Sequence, residues 1–164
     1  MSDKERNEAE YEEDTQRGRY LTFKLDKETF GIEIRHVIEI IGIQAVTEIP
    51  EMPEYMKGII NLRGKIIPLM DVRIRFRKEA RDYNDRTCVI VVDINGMSIG
   101  LIVDSVAEVL SIPERDTVDP PQLNSGDSNR YINKIGKVGD DVKLLLDCNR
   151  LITEGLFENL NQVT

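Results

Sequence analysis

Read for groups able to carry out chemistry, the chain offers few workable combinations. His36 is the only histidine, so a metal site built on imidazoles is excluded and a nucleophile–histidine triad would depend on it alone. Neither G-x-x-x-x-G-K-[ST] nor G-x-G-x-x-G occurs, which removes the usual glycine cradles for phosphate. Asn124-Ser125-Gly126-Asp127 lacks the spaced acids and the closing Glu of a calcium loop. Cys88 and Cys148 stand far apart beside apolar neighbours, a setting for small buried side chains in a reducing compartment and not for a metal or redox pair. Scattered Asp and Glu leave a carboxylate-based hydrolase open, but no motif supports one, and a binding module is the better reading. One residue suggests such a role. Arg63-Gly64 lies between two apolar runs, Gly58 to Leu62 and Lys65 to Met70, where a two-residue hairpin turn needs positive φ. Arg63 then stands at a hairpin tip. There it is either a plain solvated turn residue or a cation offered to a carboxylate or a helix end.

The flanking elements read mainly as strands. Leu21, Phe23 and Leu25 alternate with Thr22 and Lys24, and Asp26-Lys27 turns into Thr29 to Ile34 with Phe30, Ile32 and Ile34 on one face. Val37 to Ile41 is too short for periodicity to choose between helix and strand; a strand near Val37 to Ile40 is favoured. Val46 to Ile49 reads as a short strand and Pro53-Glu54-Tyr55 as a single helical turn. Mixed charges from Asp71 to Arg86 suit a solvated connection. Asn95-Gly96, the strongest hairpin signal, joins Thr87 to Ile94 with Met97 to Val103. Ser105 to Ile112 is a further strand, Pro113 to Arg130 a long loop, and Tyr131 to Val138 with Val142 to Asp147 a last hairpin across Gly139-Asp140. Asn149 to Asn161 reads as an amphipathic helix with Ile152, Leu156 and Leu160 on one stripe.

The formal net charge of -8 opposes binding to nucleic acid, which requires a basic footprint. Residues 1–18 hold seven acids among few apolar side chains and read as a mobile acidic tail. The start has no apolar signal-peptide core, and no run approaches the roughly 20 apolar residues of a spanning helix. A soluble, cytoplasmic protein is expected, with no direct membrane insertion.

A repeat lies within the pattern. Gly31-Ile32-x-Ile34-x-x-Val37-x-Glu39-Ile40-Ile41 reappears as Gly100-Leu101-x-Val103-x-x-Val106-x-Glu108-Val109-Leu110, an offset of 69 residues (31 to 100). Asp71 and Asp147, each closing a hairpin strand, are offset by 76 (71 to 147), so the seven extra residues fit after Pro113. Two related strand units follow, in a sandwich or barrel architecture.

Asn61-Leu62-Arg63-Gly64, with Pro68-Leu69-x-Asp71 behind it, resembles the N-L-R-G signature of the CheW family of chemotaxis coupling proteins, and the resemblance runs from about Tyr20 to Leu156. It implies an all-β fold with short helices: two five-stranded SH3-like β-barrels packed on a shared hydrophobic core, with a C-terminal helix. The expected organisation is an acidic tail at 1–18, a CheW-like domain at 19–156 (subdomains at roughly 30–86 and at 19–29 plus 87–150), and a C-terminal helix and tail at 149–164. Pro68 is then expected at a strand edge or bulge. The resemblance further implies a non-catalytic adaptor without cofactor or metal, cytoplasmic and recruited to membrane-associated receptor arrays. Its partners would be the cytoplasmic tip of chemoreceptors and the regulatory domain of the histidine kinase CheA. By position, Val37, Glu39, Lys57, Gly58, Asn61, Leu62 and Arg63 fall where the family makes partner contacts. The alternative is a non-catalytic two-barrel regulatory module that binds a small ligand or a linear peptide.

Overall fold

The computed structural model describes residues 16–121 and 130–154. Residues 1–15 of the expected acidic tail, residues 122–129 of the expected long loop and the part of the expected C-terminal helix beyond residue 154 lie outside the described residues. The elements are β1 (Arg19–Leu25), β2 (Glu28–Glu33), a 3-10 turn (Ile34–His36), β3 (Val37–Gly42), β4 (Met56–Leu62), β5 (Lys65–Asp71) and α1 (Val72–Arg75). They continue with β6 (Cys88–Ile94), β7 (Met97–Val103), β8 (Ser105–Ser111), a 3-10 turn (Glu114–Asp116), β9 (Thr117–Val118), β10 (Ile132–Val138), β11 (Asp141–Leu146) and α2, residues 148–154.

Two sheets result, a six-stranded one in the order β8-β1-β2-β11-β10-β9 and a five-stranded one in the order β3-β6-β7-β5-β4. This is the expected two-unit, SH3-like β architecture, with two refinements. The ladders stay open at β8 and β9 in the first sheet and at β3 and β4 in the second, so among the described residues neither barrel closes by continuous hydrogen bonding. Sheet membership changes at Ile34–His36 and at Asp104, whereas the sequence reading placed the subdomain seams near residues 29–30 and 86–87.

The repeat is visible in the registers. Tyr20 pairs with Glu33 and Leu110 in the first sheet as Val89 pairs with Ile102 and Ile41 in the second. Gly31 lies opposite Leu145 across a parallel pair, and Gly100 lies opposite Leu69. In both places a side chain would crowd its partner: a Cβ on Gly31 would lie 2.9 Å from Leu145 Cδ2, and one on Gly100 2.4 Å from Leu69 Cδ2. Each half gives strands to the other sheet, since β3 and the β4–β5 hairpin join β6–β7 while β8 and β10–β11 join β1–β2.

The main core lies between the sheets. Phe23 stacks on its cross-strand partner Phe30 at 5.7 Å, Phe30 meets Phe76 of the α1 C-cap at 5.4 Å, and Phe76 stacks on Tyr131 at 6.0 Å. Each is a favourable ring separation. A smaller cluster of Ile60, Ile67, Leu69, Val89, Val91 and Ile102 belongs to the second sheet alone, with Ile41, Leu62 and Tyr83 packed on it.

Several local expectations change. Val46 to Ile49 is a single bridge, Thr47 to Ile59, and not a strand. Pro53-Glu54-Tyr55 is a turn closed by Met56 N–H donating to Pro53 O at 2.9 Å, not a turn of helix. Within Asp71 to Arg86, read as solvated, α1 buries Arg73 and Arg75. Cys148 is buried but Cys88 only half so; both are free thiols. Pro68 sits in an inner strand, not at an edge. Its opposite residue Ile59 spends its own N–H and C=O on Thr47, so Ile59 and Pro68 form a non-hydrogen-bonded pair and the missing N–H is not needed there.

Candidate functional site

Arg63 and Gly64 take φ 52° and 86°, both in the left-handed region, as a hairpin turn with a two-residue loop demands. An arginine in that region carries strain, and Asn61 compensates: its Oδ1 accepts from Gly64 N–H at 2.8 Å, closing the turn from within. The Asn95-Gly96 turn repeats this device, with Asp93 Oδ1 accepting from Gly96 N–H at 3.0 Å. Asn61 therefore holds Arg63 in place. Leu62 turns inward onto the small second-sheet cluster, and Arg63 turns outward with its side chain 72% exposed.

The guanidinium of Arg63 does not stand alone. Its Nη2 donates to Glu39 Oε1 on β3, so the tip of β4–β5 is tied to the edge strand of the same sheet. Glu39 is presented by a register shift between Val37 and Glu39 where β3 pairs with β6. On either side of Glu39 the edge strand exposes Ile38 (52%) and Ile40 (42%), which by strand alternation lie on the opposite face from Glu39 and the half-buried Ile41. Val37 is half-buried against the main core.

The remaining two predicted residues lie elsewhere. Lys57 and Gly58 are at the opposite end of β4 from Arg63, about 17 Å along an extended strand. Gly58 adopts φ 143° at a register shift in the β4–β5 ladder, and a Cβ there would lie 2.1 Å from Thr47 O. Its identity is set by that close backbone approach. Among the hollows described, one of about 350 Å³ is lined by Asp26, Arg73, Arg81 and Tyr83, and one of about 480 Å³ by Lys24, Lys27, Val142 and Lys143. None of the seven predicted residues lines either.

Sequence reasoning missed a polar system around α1. Arg73 Nη1 donates to Asp26 Oδ1 and to Asp104 Oδ2, both at 2.8 Å. The hydrogen bond from Arg73 holds the Asp26 carboxyl below its usual range despite some desolvation. Burial works against the charge of Arg73, but the bonds and fields of the two aspartates outweigh it and its pKa is raised. Arg75 lies between Tyr55 and Tyr131, 4.6 and 5.0 Å from their ring centres, and its Nη2 donates to the Tyr131 hydroxyl. Tyr83 donates to the buried Asp71 at 2.8 Å, and burial first, then that bond, raises its pKa. The 76-residue offset that pairs Asp71 with Asp147 also pairs Tyr55 with Tyr131, and was the signal available for them.

Arg63 is thus a cation displayed on a braced turn and ion-paired to an edge strand of its own sheet. A family model described as the CheW-like domain matches residues 19–155, and the chain belongs to that family. The chemotaxis protein CheW of Klebsiella aerogenes is 34% identical over 134 residues, covering 82% of this chain and 81% of its own. That of Treponema pallidum is 31% identical over 144 residues and covers 85% of each. The crystal structure of the scaffolding protein TtCheW from Thermoanaerobacter tengcongensis matches with a TM-score of 0.76 at 36% identity, over 82% of this chain and 91% of that one. The chain is a chemotaxis scaffold protein in class.

Proposed function

We propose that the chain is the adaptor that couples the cytoplasmic tip of chemoreceptors to the regulatory domain of the histidine kinase CheA. Receptor state would thereby set kinase activity without any catalysis by the adaptor. The observation that carries this reading is Arg63: exposed, fixed at a braced hairpin tip, and paired with Glu39 of the edge strand. A receptor carboxylate or helix end can take the guanidinium in place of Glu39, and Ile38 and Ile40 offer a separate apolar contact on the other face of the edge strand. No described helix is long and apolar enough to cross a membrane, which fits a partner recruited to receptor arrays from the cytoplasmic side. A second surface of the same module would hold the kinase domain, and avidity from two contacts would keep the assembly together.

Calorimetric titration with the CheA regulatory domain and, separately, with a receptor cytoplasmic fragment tests the reading. Binding to both is expected. Binding to neither by folded protein removes it and favours the small-ligand or peptide-binding alternative.

A further inference from the structure

Residues 77–87 run from α1 to β6 as a strap with polar anchors. Lys78 N–H donates to Arg73 O at 2.9 Å, Arg73 Nε to Glu79 O at 3.0 Å, and Lys78 Nζ to Glu28 Oε1 at 3.2 Å. Arg81 reaches the same two carboxylates as Arg73, Asp26 Oδ1 at 2.5 Å and Asp104 Oδ2 at 3.4 Å. Those carboxylates come from different parts of the fold. Asp26 belongs to the β1–β2 turn of the first sheet; Asp104 is the residue where the chain crosses from the second sheet to the first. Two arginines thus clamp the strap to the seam between the sheets.

At its far end the strap enters the second sheet. Tyr83 packs on the small apolar cluster while its hydroxyl is held by Asp71. Ile41, two residues after Glu39, and Leu62, immediately before Arg63, pack on that same cluster. A continuous set of contacts therefore leads from Asp26 in the first sheet to the backbone on both sides of the Glu39–Arg63 pair.

We propose that the strap is a positioning element for the Glu39–Arg63 face, with Arg81 its adjustable anchor and Tyr83 its lever, so that the placement of the first sheet sets the order of the partner-binding surface. The partner half of this statement rests on the receptor reading above. The coupling half does not. Arg81 is half exposed and Arg73 keeps both aspartates, so an Arg81→Ala chain retains its buried ion pairs.

Hydrogen exchange of the full chain, read by mass spectrometry, decides the coupling. Arg81→Ala is expected to speed exchange about tenfold in 78–86 and also in the segments carrying Ile40–Gly42 and Leu62–Gly64, with β1 and β7 unchanged, as a local opening would. Arg81→Lys is expected to restore most of the protection. Acceleration confined to 78–86, or spread evenly over every strand, overturns the proposal. Titration with a receptor cytoplasmic fragment then separates the two readings. A fragment that fails to bind the unsubstituted chain removes the receptor reading, and the exchange result still decides the strap. A fragment that binds both chains equally, despite faster exchange at Leu62–Gly64, overturns the positioning role.

Discussion

Tyr55 and Tyr131, 76 positions apart in equivalent places of the two halves, face each other across one guanidinium, that of Arg75. Their backbones do the same work: Tyr55 O accepts from Asp71 N–H and Tyr131 O from Asp147 N–H, each at 2.7 Å. Asp71 and Asp147 in turn cap α1 and α2 through Ile74 N–H and Arg150 N–H. One arginine therefore sits where the two halves of the molecule meet.

Arg75→Ala is expected to destabilise the fold by about 3 kcal/mol, because it removes two ring contacts and the hydrogen bond to the buried Tyr131 hydroxyl. The midpoint of urea unfolding measures it. A loss under about 1 kcal/mol would show that the rings close on each other unaided.

The two repeat-related glycines are expected to differ. Gly100→Ala brings a methyl within 2.4 Å of Leu69 and 2.7 Å of Val89, with two neighbours to move. Gly31→Ala meets only the end of Leu145 at 2.9 Å, with the next contact at 3.5 Å. A cost of about 2–3 kcal/mol is expected for Gly100 and about 1 kcal/mol for Gly31, as overpacking in a close-packed core implies. Equal melting temperatures for the two variants would contradict this.

Arg63→Ala is expected to leave stability within about 0.5 kcal/mol, because an exposed ion pair contributes little to folding. Receptor affinity is expected to fall by about 2 kcal/mol, the scale of an arginine hot spot. Unchanged affinity in the folded variant would reassign Arg63 as a solvated turn residue.

Acid is expected to loosen the strap. The folded-state pKa of Asp26 lies below its ordinary value, chiefly through its hydrogen bond from Arg73, so its stabilising effect is complete above the ordinary carboxylate range and is lost as pH falls through the lower, folded-state value. Melting temperatures from about pH 6 down to about pH 3 are expected to fall more steeply for the natural chain than for Asp26→Asn, which has already lost the charge. Parallel curves would mean that Asp26 takes no part in the acid response.

The hairpins were legible in the sequence because turn chemistry is local: Arg63-Gly64, Asn95-Gly96 and Gly139-Asp140 each place a glycine where φ is positive. The repeat was legible for a related reason, since Gly31 and Gly100 mark positions where a neighbouring strand crowds any side chain. Burial of charge was not legible. Arg73 and Arg75 stand in a run of mixed charges, and what allows them inside is tertiary, with Arg75 meeting a hydroxyl 56 residues away and Arg73 an aspartate 47 residues away. The Glu39–Arg63 pair lay between the two: both residues stood in recognisable motifs, but their contact spans 24 residues and depends on how the second sheet curls.

The exchange of strands between halves bears on how the protein is made. Residues 37–103 contain every strand of the second sheet, so that sheet can assemble as soon as they leave the ribosome. The β1–β2 hairpin emerges earlier but must wait for β8 and β11, and until then it holds Phe23 and Phe30 without the strands that flank it in the finished sheet. The earliest strands of the two sheets are thus among the last to be completed, and a nascent chain paused before residue 105 is the state in which chaperone capture or aggregation would occur.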